Sequence, residues 1–112
     1  LEGQKAPLRA REEEKRVVVV PVNEDLMAKA LDVSLTLRRS GVSTEVEVMG
    51  HKVSKALADA DKRGVTHAVI LGPEEVKEGM VVLRDMRRRE QRVVRTEDLS
   101  KEIDTASRLR GD

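Results

Sequence analysis

The six residues Val17-Val18-Val19-Val20-Pro21-Val22 constrain this chain more than any other stretch. Successive side chains along a strand point to opposite faces, so a continuous apolar run of this kind is apolar on both. A strand of that type needs cover on both sides, which is the situation of a central strand in a parallel sheet flanked by helices. The run is also far short of the roughly 20 apolar residues that span a bilayer, and no signal-peptide pattern precedes it. A chain of 112 residues holds one such domain and not two.

The elements around this strand follow from period and punctuation. Asn23 with Glu24 and Asp25 reads as a helix start, and Leu26, Ala30, Val33 and Leu37 recur at helical spacing until Gly41, predicting a helix over about 24–40. Thr44 to Met49 alternates Val46 and Val48 with Glu45 and Glu47, the pattern of a half-exposed edge strand. Val53, Ala56, Leu57 and Ala60 predict a second helix over about 52–63, closed by Gly64. His67 to Leu71 is a third strand, and Pro73 to Val76 suits one helical turn because Pro is tolerated at the first helical position. Met80 to Met86 and Gln91 to Arg95 are too close in sequence to pair other than as an antiparallel hairpin. Thr96 is expected to cap a last helix that buries Leu99, Ile103 and Ala106. Right-handed crossovers then give a three-layer α/β/α domain with a five-stranded mixed sheet, order 2-1-3-4-5, in which strand 4 is antiparallel to the rest.

Residues 1–16, with Gly3, Gln4, Pro7 and a charged run from Arg11, show no apolar period and read as a linker or the end of a preceding segment. The domain itself is expected over 17–110, and the chain, which starts at Leu1, reads as a fragment of a longer polypeptide.

Composition removes several chemistries. With no Cys there is no disulfide framework and no thiol or zinc–thiolate site. With no Phe, Tyr or Trp there is no aromatic platform for stacking bases, so any base is read by polar groups. The charges, 22 Lys plus Arg against 21 Asp plus Glu, nearly cancel, so affinity for a polyanion depends on their distribution. Neither G-x-G-x-x-G nor a P-loop occurs, and the third strand ends in Leu71-Gly72-Pro73 rather than in the acidic residues of a cation-binding receiver domain. His51 and His67 have no ligand partners at metal-site spacing, so no metal and no Ser-His-Asp site is expected; His67 reads as a structural residue. Open sheets of this class bind ligands outside the carboxyl ends of their parallel strands, here Asn23-Glu24, Gly50-His51-Lys52 and Gly72 to Glu75.

The segments Val17 to Val22, Ala60-Asp61-Lys62-Arg63-Gly64, Gly72-Pro73-Glu74-Glu75-Val76-Lys77-Glu78-Gly79, Val81-Val82-Leu83-Arg84-Asp85-Met86 and Glu90-Gln91 resemble, in this order, the C-terminal anticodon-binding domain of class II aminoacyl-tRNA synthetases. The similarity covers about 17–103 and is greatest to the histidyl members, with glycyl, threonyl and prolyl members or a synthetase-like adaptor module as the alternatives. The family often carries Thr-Gly where Arg88-Arg89 stand here. Without Gly a turn residue at positive φ is strained, so this bend is expected to use another turn type or a longer loop.

The resemblance implies recognition of a G-U-G anticodon loop in a histidine tRNA. Glu75, matching the family's G-x-x-E segment, is the residue expected to accept from the N1–H and N2 amine of a guanine. Arg84 is expected to stack its guanidinium on an unstacked base. Asn23 and Gly50 offer close backbone approach, while His51, Lys52 and Lys55 complete the edge, the lysines toward phosphates. Glu90 and Gln91 match the family's terminal pattern as second-tier site residues. Six Arg between Arg84 and Arg95 against Asp85 and Glu90 give that stretch a local net charge of +4, for which the functional reading is a phosphate of the anticodon stem. Arg87 to Arg89, however, fall at the end of strand 4 opposite the pocket, where the parent enzyme, another RNA segment or water alone are the alternative contacts, and they rank below Glu75. The class II catalytic motifs are absent, so this chain by itself is expected not to aminoacylate and to need no cofactor, ATP and Mg belonging to the missing catalytic domain. The partners implied are tRNA and that catalytic domain, with no membrane, in a cytoplasmic parent that is a homodimer and a fragment that is monomeric on its own.

Overall fold

The computed structural model describes residues 15–48 and 52–103. Strand β1 (Arg16–Pro21) is followed by a 3-10 turn at Glu24–Leu26, helix α1 (Met27–Arg39), strand β2 (Ser43–Val46), helix α2 (Val53–Lys62) and strand β3 (His67–Leu71). A short helix α3 (Pro73–Lys77) leads into the hairpin of β4 (Met80–Asp85) and β5 (Glu90–Arg95). A second 3-10 turn at Thr96–Asp98 opens a last helix, α4, described over 99–103. The sheet order is β2-β1-β3-β4-β5, with β1 parallel to β2 and β3 and the hairpin antiparallel, as the sequence predicts.

The valine run explains the layering. Val17 and Val19 enter one core with Leu26, Ala30, Val33 and Leu37 of the first helical stretch and with Leu99 and Ile103 of α4. Val18 and Val20 enter a second core with Ala56 and Ala60 of α2, Val65, Ala68 and Met86. All four valines are at most 1% exposed, so each contributes the roughly 1.5–3 kcal/mol of a fully buried aliphatic side chain. The small side chains Ala30, Ala56 and Ala60 are what let both helices lie close to the strands.

Element boundaries differ from the sequence expectation for local reasons. The first helix splits: Glu24–Leu26 forms a 3-10 turn, and Asn23, although extended and in the N-cap position, makes no side-chain cap bond. Strand β1 stops at Pro21, which has no N–H to give the ladder, and strand β2 covers Ser43–Val46 while Met49 lies outside the described residues. Thr96 does not cap the last helix with its hydroxyl. Both its backbone N–H (2.9 Å) and its Oγ1 (3.1 Å) donate to the Gly79 carbonyl, tying the end of β5 to the start of β4. Of the linker assigned to residues 1–16, residues 1–14 lie outside those described, as does Ala106, whereas Arg16 is the first residue of β1 and so belongs to the domain.

The bend between β4 and β5 is the longer loop that the sequence left open, yet it does not avoid a positive φ. It is a four-residue loop, closed by the pair Asp85 and Glu90, and it keeps a positive φ without glycine: Arg89 sits at φ 59°. The Asp85 carboxylate holds the loop by accepting the backbone N–H groups of Arg87 (3.0 Å) and Arg88 (3.1 Å), and the Asp85 carbonyl accepts that of Arg89 (2.8 Å).

Candidate nucleic-acid interface

Three chain crossings meet at the carboxyl edge of β1 and β3. The Val22 N–H donates to the Leu71 carbonyl at 3.1 Å, which fixes the two strand ends side by side. Asn23 leaves this edge exposed, with its carbonyl accepting the Leu26 N–H at 3.2 Å. Lys52, exposed at the start of α2, and Lys55, on the outer side of its first turn, stand on the same edge. Gly50 and His51, which sequence reasoning places there too, lie outside the described residues.

The Glu75 carboxylate occupies the space left by the missing Cβ of Gly72. Gly72 is the N-cap of α3 and is buried, Pro73 opens the helix, and Glu75 is its third residue. A Cβ added to Gly72 would collide with Glu75 Oε1 and approach its Cδ to 3.4 Å, so the carboxylate lies folded back over the glycine. Glu75 is half-buried there, on the helical turn that precedes β4. Val76 anchors the turn by packing on the α1-side core.

Arg84, Glu90 and Gln91 are not brought to that edge. Register places Arg84 opposite Ala68 of β3 and Gln91 of β5, and Asp85 opposite His67 and Glu90. Ala68 lies three residues before Leu71, about 10 Å down the sheet at ~3.3 Å per residue. Arg84 is half-buried there, its Nη1 donating to Gln91 Oε1 at 3.0 Å. This bond orients the plane of the guanidinium, and Glu90 is exposed at the start of β5. These three residues form a second group at the amino end of the parallel strands.

A feature that sequence reasoning missed joins the two groups. Ile70, Val82 and Val93 are register partners across β3, β4 and β5, on the sheet face that α2 covers only over β1 and β3. Val93 is 54% exposed, and Ile70 and Val82 are half-buried. Arg84 and Gln91 flank this apolar row on one side and Met80 and Arg95 on the other. The signal was the pair Val93-Val94 in the last strand: Val94 is buried in the α1-side core, so strand alternation puts the apolar Val93 on the opposite face. Among the described residues there is no cluster of His, Asp and Glu able to hold a metal, and no helix is long and apolar enough to cross a membrane.

Residues 16–105 match the family model described as an anticodon binding domain. Over 86 residues the chain is 42% identical to the histidine–tRNA ligase of Archaeoglobus fulgidus, covering 77% of this chain and 21% of the relative. Over 83 residues it is 40% identical to that of Pyrococcus furiosus, with 74% and 19% covered. The chain thus spans about a fifth of the length of the curated relatives it matches. Its fold superposes on the crystal structure of histidyl-tRNA synthetase from Nostoc sp. PCC 7120 with a TM-score of 0.80 and 33% identity, over 82% of this chain and 22% of that one. The RNA binding domain of threonyl-tRNA synthetase from Cryptosporidium parvum Iowa II shares the fold, at a TM-score of 0.74 and 16% identity.

Proposed function

We propose that this chain, which belongs to the anticodon binding domain family and is similar to the matching part of histidine–tRNA ligases, selects a histidine tRNA by its G-U-G anticodon. The observation that carries the reading is the carboxylate of Glu75, packed over Gly72 at the carboxyl edge of the sheet, where open α/β sheets take their ligands. A guanine Watson–Crick edge presents N1–H and the N2 amine side by side. A carboxylate accepts both, and no other base offers that pair of donors.

The remaining chemistry distributes along the sheet. Lys52 and Lys55 neutralise loop phosphates beside the edge, and the backbone at Asn23 approaches the bases. Arg84, about 10 Å away and held by Gln91, presents a flat cationic surface on which an unstacked base rests, doing what an aromatic ring does in other RNA binders. The row Ile70, Val82 and Val93 supplies the apolar floor between the two groups. Ligation of histidine, with its ATP and Mg, belongs to the catalytic part of the parent protein, a cytoplasmic homodimer in this reading; the chain needs no cofactor of its own and contributes tRNA selection.

The test is discrimination. Glu75→Ala and Glu75→Gln, assayed against a G-U-G stem-loop and the same stem with its guanines replaced, are expected to lose about 1–3 kcal/mol of preference for guanine. An unchanged preference in both variants would remove Glu75 from the site. Equal binding of all loops by the unaltered chain would instead favour a protein-interaction role.

A further inference from the structure

Arg87, Arg88 and Arg89 stand together at the tip of the β4–β5 hairpin, all exposed. The tip lies at the end of β4 remote from Glu75: Asp85 is opposite His67, the first residue of β3, whereas Glu75 follows its last. Six residues of β4 at ~3.3 Å each put it roughly 20 Å from the carboxyl edge. It belongs to a different part of the surface.

The surroundings separate these arginines from the others on the same hairpin and nearby. Arg63 bonds Glu45 at 2.6 Å and Asp59 at 3.1 Å, Arg92 bonds Glu102 at 2.6 Å, and Arg95 reaches Glu97 at 3.4 Å. No side chain of the tip triplet forms an ion pair with a described residue, although Asp85 and Glu90 adjoin it. Asp85 Oδ1 accepts the Arg87 and Arg88 N–H groups, so it braces the loop without pairing with the guanidinium groups. The loop also holds Arg89 at φ 59°, a conformation that costs an L-residue about 1–2 kcal/mol, where glycine would fit without strain. Backbone strain of this kind clusters at functional sites, where surrounding structure holds it.

We propose that this tip is a second, sequence-independent RNA contact, which grips backbone phosphates of the helical stem while the opposite edge reads the loop; the inference rests on the tRNA-binding reading above. Three guanidinium forks on one turn match successive phosphate oxygens, each able to take two parallel hydrogen bonds. The tip presents no exposed aliphatic side chain, Met86 being buried, so it lacks the apolar anchor that a protein partner would need. The contact supplies affinity and register, and no choice of base.

The experiment measures the affinity of the chain for a G-U-G stem-loop and an anticodon-scrambled stem-loop over a range of salt. The comparison is with Arg87→Gln/Arg88→Gln/Arg89→Gly and with the charge-conserving Arg87→Lys/Arg88→Lys/Arg89→Lys, each first checked by thermal melting. The uncharged triple variant is expected to weaken both RNAs by a common factor and to flatten the slope of log K against log salt by about 2–3, while the preference for G-U-G persists. The lysine variant is expected to keep the slope. An unchanged slope in a folded, discriminating uncharged variant would overturn the inference and leave the anticodon reading standing, and would point the tip toward a protein partner. Absence of RNA binding by the unaltered chain would instead defeat both.

Discussion

Replacing Arg89 by glycine should stabilise this domain, and the size of the effect follows from the hairpin. Arg89 occupies the left-handed region at φ 59°, which costs an L-residue about 1–2 kcal/mol. Glycine removes that cost but brings a larger backbone entropy loss on folding, about 0.5–1 kcal/mol. The exposed Arg89 side chain makes no ion pair with a described residue, and its backbone bond to the Asp85 carbonyl at 2.8 Å survives the substitution. The net expectation for Arg89→Gly is a gain of about 0.5–1 kcal/mol, or a melting temperature higher by roughly 2–8 °C for a domain of this size. Arg89→Ala is the control, since it deletes the same charge and keeps the Cβ, and it should bring no such gain. Thermal and urea unfolding of the three proteins measure the difference. If the glycine variant were no more stable than the alanine variant, the argument from the turn's backbone would be wrong.

Three further outcomes follow from the packing. Gly72→Ala should displace the Glu75 carboxylate and reduce guanine preference in stem-loop titrations about as much as Glu75→Ala, while the salt slope stays as it was. Ile103→Ala, which empties a fully buried position of α4, should cost about 2–5 kcal/mol in urea denaturation, and a much smaller loss would place that helix outside the cooperative unit. Arg63 is held above its ordinary pKa chiefly by its hydrogen bond with Glu45, against partial desolvation, with Asp59 adding to the effect. A raised value in the folded state means that its stabilisation is fully present below the unfolded pKa and is lost only as pH climbs through the folded one. Melting curves across the neutral range should therefore show no pH dependence from this group, and Glu45→Gln should cost no more than about 1 kcal/mol because the pair is exposed.

The layering was legible in the sequence because it depends on side-chain period. The valine run demands cover on both faces, the two helical repeats supply it, and Gly41 and Gly64 end those helices at φ 88° and 78°. The short hairpin connection likewise left one way to pair β4 with β5. What stayed hidden depends on register or on tertiary partners. Arg84 and Gln91 face each other only because the hairpin closes at Asp85 and Glu90, and that same register sets them about 10 Å from the edge that carries Glu75. Thr96 looked like a helix cap, but its hydroxyl makes no cap bond and instead donates to the Gly79 carbonyl, 17 residues earlier, a tertiary partner that spacing does not reveal. The left-handed Arg89 could not be read from composition, because a positive φ favours glycine and the bonds from Asp85 that shape this loop depend on its fold.

Of the candidate site, Glu75 was legible through the resemblance and gained its physical reason from Gly72, whose missing Cβ leaves the space that the carboxylate fills. The row of Ile70, Val82 and Val93 emerged only once three strands were aligned.

The most direct test of anticodon reading is a titration of the unaltered chain with a labelled G-U-G stem-loop and two scrambled-anticodon controls, each at two salt concentrations. The account predicts tighter binding to G-U-G, with a ratio over the controls that persists as salt is raised, because the phosphate contribution is common to all three and only base contacts distinguish them. Equal affinities that fall together with added salt would contradict it.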